Sequence, residues 1–503
     1  MDKAMNTAAS KENGNRVYDL IGIGIGPFNL GLAALLEAAS EVDALFLDRK
    51  PQFQWHAGML LDGTTLQVPF FADLVTMADP THRLSFLNYL KEQGRLYHFY
   101  FLEKFQIPRQ EYNHYCQWAA NQLDSCRFGE EVTAVRRLSA SERSGAGEAG
   151  SKEAGKGAAQ YAVEVKGGDG SIRVYYTRDL VLGVGSVPSV GEPFRGLPSE
   201  DVFHSAQFME RLERCREAKS VTVVGSGQSA AEVFLHLLEE QPERGYKLDW
   251  FTRSPGFFPM EYSKLGLEHF SPDYTQYFYG LPQEQKDDVR SRQHLLYKGI
   301  SAVTIAAIYD RLYDMSVGGA KPPVRLLAHT EVMSITPVSA GTPISEGVAV
   351  SAGTPVLAGA QVAAGIAVSV GTPAATAVAV DSVNYRLDCC HREQGTAFLH
   401  DSEAIVFATG YAHPVPACLD PLHELVEWDD QGRYFVEKDY RLKLREPVEG
   451  RIFVQNGELH THGVGAPDLG LGAYRNSVIL NAVAGRVVYP VSDRNVFQQF
   501  GAR

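Results

Sequence analysis

The chain has 503 residues, 45% of them hydrophobic and 21% charged, an ordinary globular composition whose length leaves room for roughly two to four domains. Lys+Arg number 47 against 60 Asp+Glu, a formal net charge of −13. That balance excludes the basic footprint of a nucleic-acid binder.

Residues 1–15 are polar, lack the apolar core of a signal peptide and predict a disordered tail. Order begins at Val17 with a buried-type strand that runs into Gly24-Ile-Gly26-Pro27-Phe28-Asn29 and then into a helix of small and apolar residues. This is a GxGxxG-type turn with Asn29 in the third place. Gly24 permits the tight turn, Gly26 lets a pyrophosphate approach the backbone, and the helix N-terminus supplies free N–H groups. The next strand ends at Asp48, placed to accept from ribose hydroxyls. A tight glycine turn without ligand is the plain alternative. Residues 139–160 are Gly/Ala/Ser/Glu/Lys-rich and read as a flexible loop at the tip of a strand connection.

A second strand–turn–helix follows at Gly225-Ser-Gly227-Gln228-Ser229-Ala230. Its next strand ends in Arg253, which pairs with a 2′-phosphate where an acid would repel it. From Val338 to residue 379, Gly recurs with a period of six. A short β-helix is one reading; a simple-sequence appendage at a lengthened hairpin tip, between VRLLAHTEVMSI and VNYRLDCC, is the favoured one. The strand at 403–408 runs into Thr409-Gly410-Tyr411, like the return stretch of flavoproteins with two dinucleotide folds. One acid-ended and one Arg-ended turn predict FAD first and NADPH second. The six cysteines show no CxxC spacing, which argues against a disulfide reductase and for reduced thiols in a cytoplasm. No apolar run is long enough to span a membrane.

The stretches GIGPFNLGLAAL (24–35), FQWHAGM (53–59), LQVPFFADLVTMADPTHRLSFLNYL (66–90), VVGSGQSAAEVF (223–234), FATGY (407–411) and NGELHTHGVGAPDLGLGAYRNSVILN (456–481) resemble the N-hydroxylating flavoprotein monooxygenases of siderophore biosynthesis. These are the L-lysine N6-, L-ornithine N5- and diamine N-monooxygenases, and the lysine/diamine branch fits best. The resemblance implies an α/β fold with two Rossmann-like dinucleotide-binding domains, for FAD and NADPH, and a small helical substrate region between them. The expected layout is an FAD domain over 16–200, an NADPH domain over 201–400 that includes helices at 255–315, and an FAD-domain return over 401–503. The implied chemistry is hydroxylation of a neutral primary amine by a C4a-hydroperoxyflavin, without a protein nucleophile or a metal.

By the same resemblance, Gly24, Gly26, Pro27, Asn29, Asp48, Trp55, His56, Gln67, Thr409, Gly410 and Leu469 serve FAD, with Gln67 at its reactive edge. Gly225, Gly227, Gln228, Ser229 and Arg253 serve NADPH, and Ala72, Leu267 and Gly299 line the substrate. His460 and His462 align near the flavin. Members acting on amino acids carry Lys at the place of Ala72, where it pairs with the substrate carboxylate. Its absence points to cadaverine or putrescine; L-lysine or L-ornithine is the alternative. An NADPH oxidase or a non-catalytic flavoprotein is the reading from another class. The expected partners are the amine and O₂, and a homo-oligomer, dimer or tetramer, is implied.

Overall fold

The structure is a computed structural model that describes residues 16–147, 158–197, 200–338 and 384–502. The expected tail, residues 148–157 of the first insert and residues 339–379 of the glycine repeat lie outside the described residues.

The chain forms two compact units. The first joins Met1–Val187, Met260–Lys298 and Tyr411–Arg503; the second joins Pro188–Pro259 and Gly299–Gly410.

In the first unit, β1 (Val17–Ile23) leads through α1 (Pro27–Leu35) to β2 (Ala44–Asp48). β3 (Thr65–Pro69) lies off this sheet, while β4 (Ile172–Leu182) pairs parallel with β1 on the side opposite β2. Successive β1 side chains take opposite faces. Leu20 packs with Leu30, Leu35 and Phe46 on one side, whereas Ile21 and Ile23 pack with Leu45, Leu47 and Val163 on the other. Pro27 starts α1, where a missing N–H costs nothing and the fixed φ suits a helix. The late helix Gly472–Ala484 lies against α1, and Asn476 Nδ2 donates to Phe28 O at 3.1 Å.

The second unit holds a parallel sheet in which β5 (Ser220–Val224) leads through α2 (Gln228–Arg244) to β6 (Lys247–Phe251), with β7 (Ala404–Phe407) on the far side of β5. All four residues of β7 are buried. A three-stranded antiparallel sheet covers one face, and Phe251, Ile405 and Phe407 pack against Val332, Ile335 and Leu387.

Four expectations change. Residues 401–410 belong to the second unit, because β7 pairs with both β5 and Val202–His204. The unit edges therefore fall at 187/188 and 410/411 instead of 200 and 400. The helical region 255–315 is divided: Met260–Lys298 joins the first unit. Arg433 clasps Asp287 there at 2.8 and 2.9 Å, and Gln283 Nε2 donates to His460 O at 3.1 Å. The run VRLLAHTEVMSI is two strands, Val324–Leu327 in the parallel sheet and Thr330–Val338 in the antiparallel one, separated at His329 (φ 52°). Lastly, Ala140–Gly147 is a helix, not a loop. Ser139 Oγ accepts from Glu142 N at 3.4 Å, and the Glu142 carboxylate accepts from Ser139 N at 2.8 Å, a capping box. Both inserts do occupy strand connections: Arg137 pairs with Tyr161, and Val338 with Asn384, each antiparallel.

Two histidines make stability depend on pH. Burial pushes the pKa of His462 down to about 3 and that of His400 down to about 4. Each stays neutral in the fold but charges in the unfolded chain below about pH 6.5, so folding stability is present above that pH and falls on acidification. The expected loss is about 1.4 kcal/mol per histidine at one pH unit below 6.5. Thermal unfolding from pH 8 to 5 should show it, and His462→Gln should flatten the slope. An unchanged slope would refute the assignment.

Candidate active site

The first turn is shaped by contacts that a side chain would destroy. Gly24 has φ 87°, its N donates to Leu47 O at 2.7 Å, and a Cβ would lie 2.5 Å from Gly183 O. At Gly26 a Cβ would meet nothing nearer than Gly183 O at 4.0 Å, so the space above it is open. Gly26 caps α1 without a side-chain acceptor, which leaves the first-turn amides of Phe28 and Asn29 for an anion.

Asn29 acts differently from expectation. Its side chain is fully buried; Nδ2 donates to Gly24 O at 2.8 Å, and Oδ1 accepts from Gln455 Nε2 at 2.8 Å. The side chain locks the turn, and only the backbone N–H remains for phosphate. Asp48 also braces the loop, with Oδ2 accepting from Ile25 N and Oδ1 from Lys50 N, each at 2.8 Å. A carboxylate has about four acceptor sites, so capacity for ribose hydroxyls remains.

The same unit collects the residues expected at the flavin's reactive side. Trp55 and His56 meet edge to face at 4.7 Å, and His56 meets Tyr411 at 5.6 Å. His56 sits at φ 48° and is exposed as a residue. Surrounding protein and the charges of Arg109 and Lys50 nevertheless push its pKa down to about 4. On β3, the Gln67 Nε2 atom is buried without a hydrogen-bond partner. Such an orphan donor costs about 1–3 kcal/mol, which favours a bound acceptor. β3 runs beside the turn Leu469–Leu471. Ala72 is buried, and a Cβ on Gly470 would lie 3.9 Å from Ala72 Cβ. The open turn, the free amides and the orphan donor all suit FAD.

In the second unit, Gly225 has φ 154°, and a Cβ there would sit 2.4 Å from Ala408 O. Trp250 Nε1 donates to Gly225 O at 2.8 Å. Gly227 caps α2 without a side-chain acceptor, so the amides of half-buried Ser229 and of Ala230 face outward from the helix start. Arg253 follows β6, exposed and without an acidic partner among the described residues. These features suit the phosphates of NADPH.

Other expected residues are occupied elsewhere. Gln228 Nε2 donates to Glu232 Oε1 at 2.8 Å and to Thr304 Oγ1 at 3.0 Å, and its Oε1 accepts from Ser301 N at 2.7 Å. It fastens α2 to the helix Ala302–Met315 and has no donor left for a nucleotide. The Thr409 hydroxyl donates to Ser189 O, and Gly410 O accepts from Ser189 N at 2.9 Å. Both lie in the second unit instead of the expected FAD domain. Leu267 is exposed at the end of a four-residue helix in the first unit, whereas Gly299 is buried in the second. His460 Nε2 bonds Tyr434 O at 2.7 Å, and His462 stacks on Tyr440 at 4.5 Å, so both rings serve packing. The sequence reading missed Asp468 and the buried Arg475–Glu458 pair, for which no local pattern stands in the chain.

Two phosphate-ready turns, one followed by Asp48 and the other by Arg253, define an oxidoreductase of the flavin-plus-nicotinamide class. The sequence profile of the L-lysine 6-monooxygenase/L-ornithine 5-monooxygenase family matches residues 16–345, and the chain belongs to that family. It is 43% identical over 492 residues to the rhizobactin siderophore biosynthesis protein RhbE of Rhizobium meliloti (strain 1021), covering 96% of this chain and 95% of the relative. It is 40% identical to a putrescine N-hydroxylase of Shewanella oneidensis, covering 98% and 86%. Among solved structures, a cadaverine monooxygenase of the desferrioxamine pathway from Erwinia amylovora, bound to FAD, superposes with a TM-score of 0.81. The two are 37% identical, with 97% of this chain and 99% of that one covered.

Proposed function

We propose that this protein uses FAD, NADPH and O₂ to hydroxylate one terminal amine of an aliphatic diamine, cadaverine or putrescine, for a hydroxamate siderophore. The carrying observation is Ala72, a buried small apolar residue at the place where the family resemblance implies a Lys in members that act on amino acids. With no cation there, a substrate carboxylate entering would lose its partner, at a cost of several kcal/mol. The putrescine and cadaverine enzymes named above support the same reading.

Bound FAD, reduced by NADPH, supplies the activated oxygen. The chain's own residues prepare the site. The Phe28 and Asn29 amides would hold the pyrophosphate, Asp48 would accept from the ribose, and Gln67 Nε2 would donate to the flavin. Trp55 and His56 would lie beside the flavin's reactive side. The reacting amine must be neutral, yet a free alkylamine has a pKa of about 10.4; an enclosed, weakly solvated site lowers it.

The test is a panel of amines with hydroxylamine measured directly. Turnover of cadaverine or putrescine is expected. Turnover of L-lysine alone would overturn the diamine reading, and peroxide without hydroxylamine from any amine would make the protein an NADPH oxidase. Arg253→Ala should raise the KM for NADPH about tenfold, the worth of one charge-assisted contact, and hardly move that for NADH. Equal rises would remove Arg253 from the 2′-phosphate.

Action in the cytoplasm belongs to the same proposal, supported by six free cysteines. No helix among the described residues is long and apolar enough to cross a membrane. The proposal also includes a homo-oligomer, dimer or tetramer, supported by Tyr97, Tyr100 and Phe101, exposed together on the helix Leu96–Leu102.

A further inference from the structure

We propose that Asp468 is the specificity-determining residue that anchors the second, non-reacting ammonium group of the substrate. This deepens the diamine reading and rests on it.

The placement carries the argument. Asp468 opens the turn Leu469–Leu471, which runs beside β3 and its unpartnered Gln67 Nε2. A Cβ built on Gly470 would lie 2.8 Å from Asp468 Oδ1 and 3.9 Å from Ala72 Cβ. The carboxylate and Ala72 therefore both border Gly470. Where relatives that act on amino acids resemble each other in offering a cation, this chain offers a small methyl group and an acid next to it.

The carboxylate also lacks a cation of its own. It accepts from the backbone N–H of Gly470 at 2.8 Å and from that of Leu471, and no Lys, Arg or His among the described residues lies within ion-pair distance of it. Arg475, whose positive charge it feels, is committed to Glu458 at 2.6 Å and to Ala466 O at 2.8 Å. Enclosure by protein pushes the Asp468 pKa up to about 6, the mark of an under-solvated acid. It is still ionised at neutral pH and lacks a counter-ion.

A diamine supplies one. Its reacting amine must shed a proton, whereas its far amine stays an ammonium and can donate to the Asp468 carboxylate, which has about four acceptor sites. L-Lysine would bring an ammonium and a carboxylate to the same corner, and the carboxylate would meet a like charge. An alkyl monoamine would leave Asp468 unpaired. One acid would thus favour diamines over both.

The competing role is structural: Asp468 could serve only to cap its turn through Gly470 N. Asp468→Asn separates the two, because the amide oxygen can still accept from the Gly470 and Leu471 N–H groups while the charge is gone. The experiment uses purified FAD-loaded enzyme and measures hydroxylamine from cadaverine, putrescine and n-pentylamine. The anchor predicts that kcat/KM for the diamines falls at least tenfold relative to that for pentylamine, with most of the change in KM. Asp468→Glu keeps the charge but brings it one methylene nearer the reacting end. It should restore diamine selectivity and shift preference toward the shorter putrescine. Parallel losses for diamines and pentylamine, or no change in their ratio, would overturn the anchor. If Asp468→Asn fails to hold FAD, Asp468→Glu decides: an unaltered putrescine-to-cadaverine ratio overturns the proposal. Unaltered enzyme that makes no hydroxylamine from either diamine would instead sink the diamine reading, and the anchor with it.

Discussion

Gly26→Ala should give a folded protein that has lost FAD. Gly26 has φ −85°, a conformation open to any residue, and the nearest protein atom to an added Cβ is 4.0 Å away. Without ligand, the methyl group touches nothing, so stability should stay within about 0.5 kcal/mol of the parent. The same methyl group fills the space through which a pyrophosphate reaches the amides at the start of α1. Flavin content should fall at least tenfold, and hydroxylamine formation with it. Added FAD, which stabilises any fold that binds it, should no longer raise the melting temperature. Gly24→Ala should behave in the opposite way: at φ 87° with Gly183 O only 2.5 Å from the new Cβ, it damages the fold itself. Thermal melts set beside flavin absorbance distinguish the two. Full flavin content in Gly26→Ala would remove this turn from FAD binding.

That contrast also explains which parts of the protein could be read in advance. Both nucleotide turns are contiguous strand–glycine–helix units, and their function depends on backbone geometry that neighbouring residues impose. Position in the chain therefore carries the signal. Gln228 and Thr409 fit the same motifs by sequence, but their side chains answer to Ser301, Thr304 and Ser189, which no local pattern reveals. The unit edges failed for the same reason. What draws 260–298 into the first unit is Asp287 with Arg433 and Gln283 with His460, contacts about 150 residues or more apart in sequence. The helix Ala140–Gly147 is another kind of miss. Ser139 and Glu142 spelled a capping box, but a composition with little to bury outweighed it. Asp468 needs the fold to be seen at all, because its importance lies in its nearness to Ala72, about 400 residues away.

The second large effect concerns Arg475, which is 1% exposed and lies against Glu458, fully buried, at 2.6 Å. Burial pushes the Glu458 pKa up even though Arg475 pulls it down. Arg475→Met would leave that carboxylate in the interior with no counter-ion, at an expected cost of about 3–5 kcal/mol. The guanidinium also sits 4.5 Å above the ring of Phe28, in the first turn of α1, and Nη2 donates to Ala466 O at 2.8 Å. Its loss should therefore loosen the turn that presents amides to the pyrophosphate and weaken FAD binding as well. The sign of the pH effect follows. In the variant, the folded-state pKa of Glu458 rises further, so the protonated form is favoured and stability is lost as pH rises. The deficit relative to the parent should be smaller near pH 5 than near pH 8. Adding Glu458→Gln to Arg475→Met removes the orphan charge and should recover most of the loss, since replacing both partners of a buried pair is often neutral. Chemical unfolding of the three proteins at both pH values gives the answer. A single variant within about 1 kcal/mol of the parent, or a double variant no better than the single, would show that the charge on Arg475 does not hold this corner of the fold together.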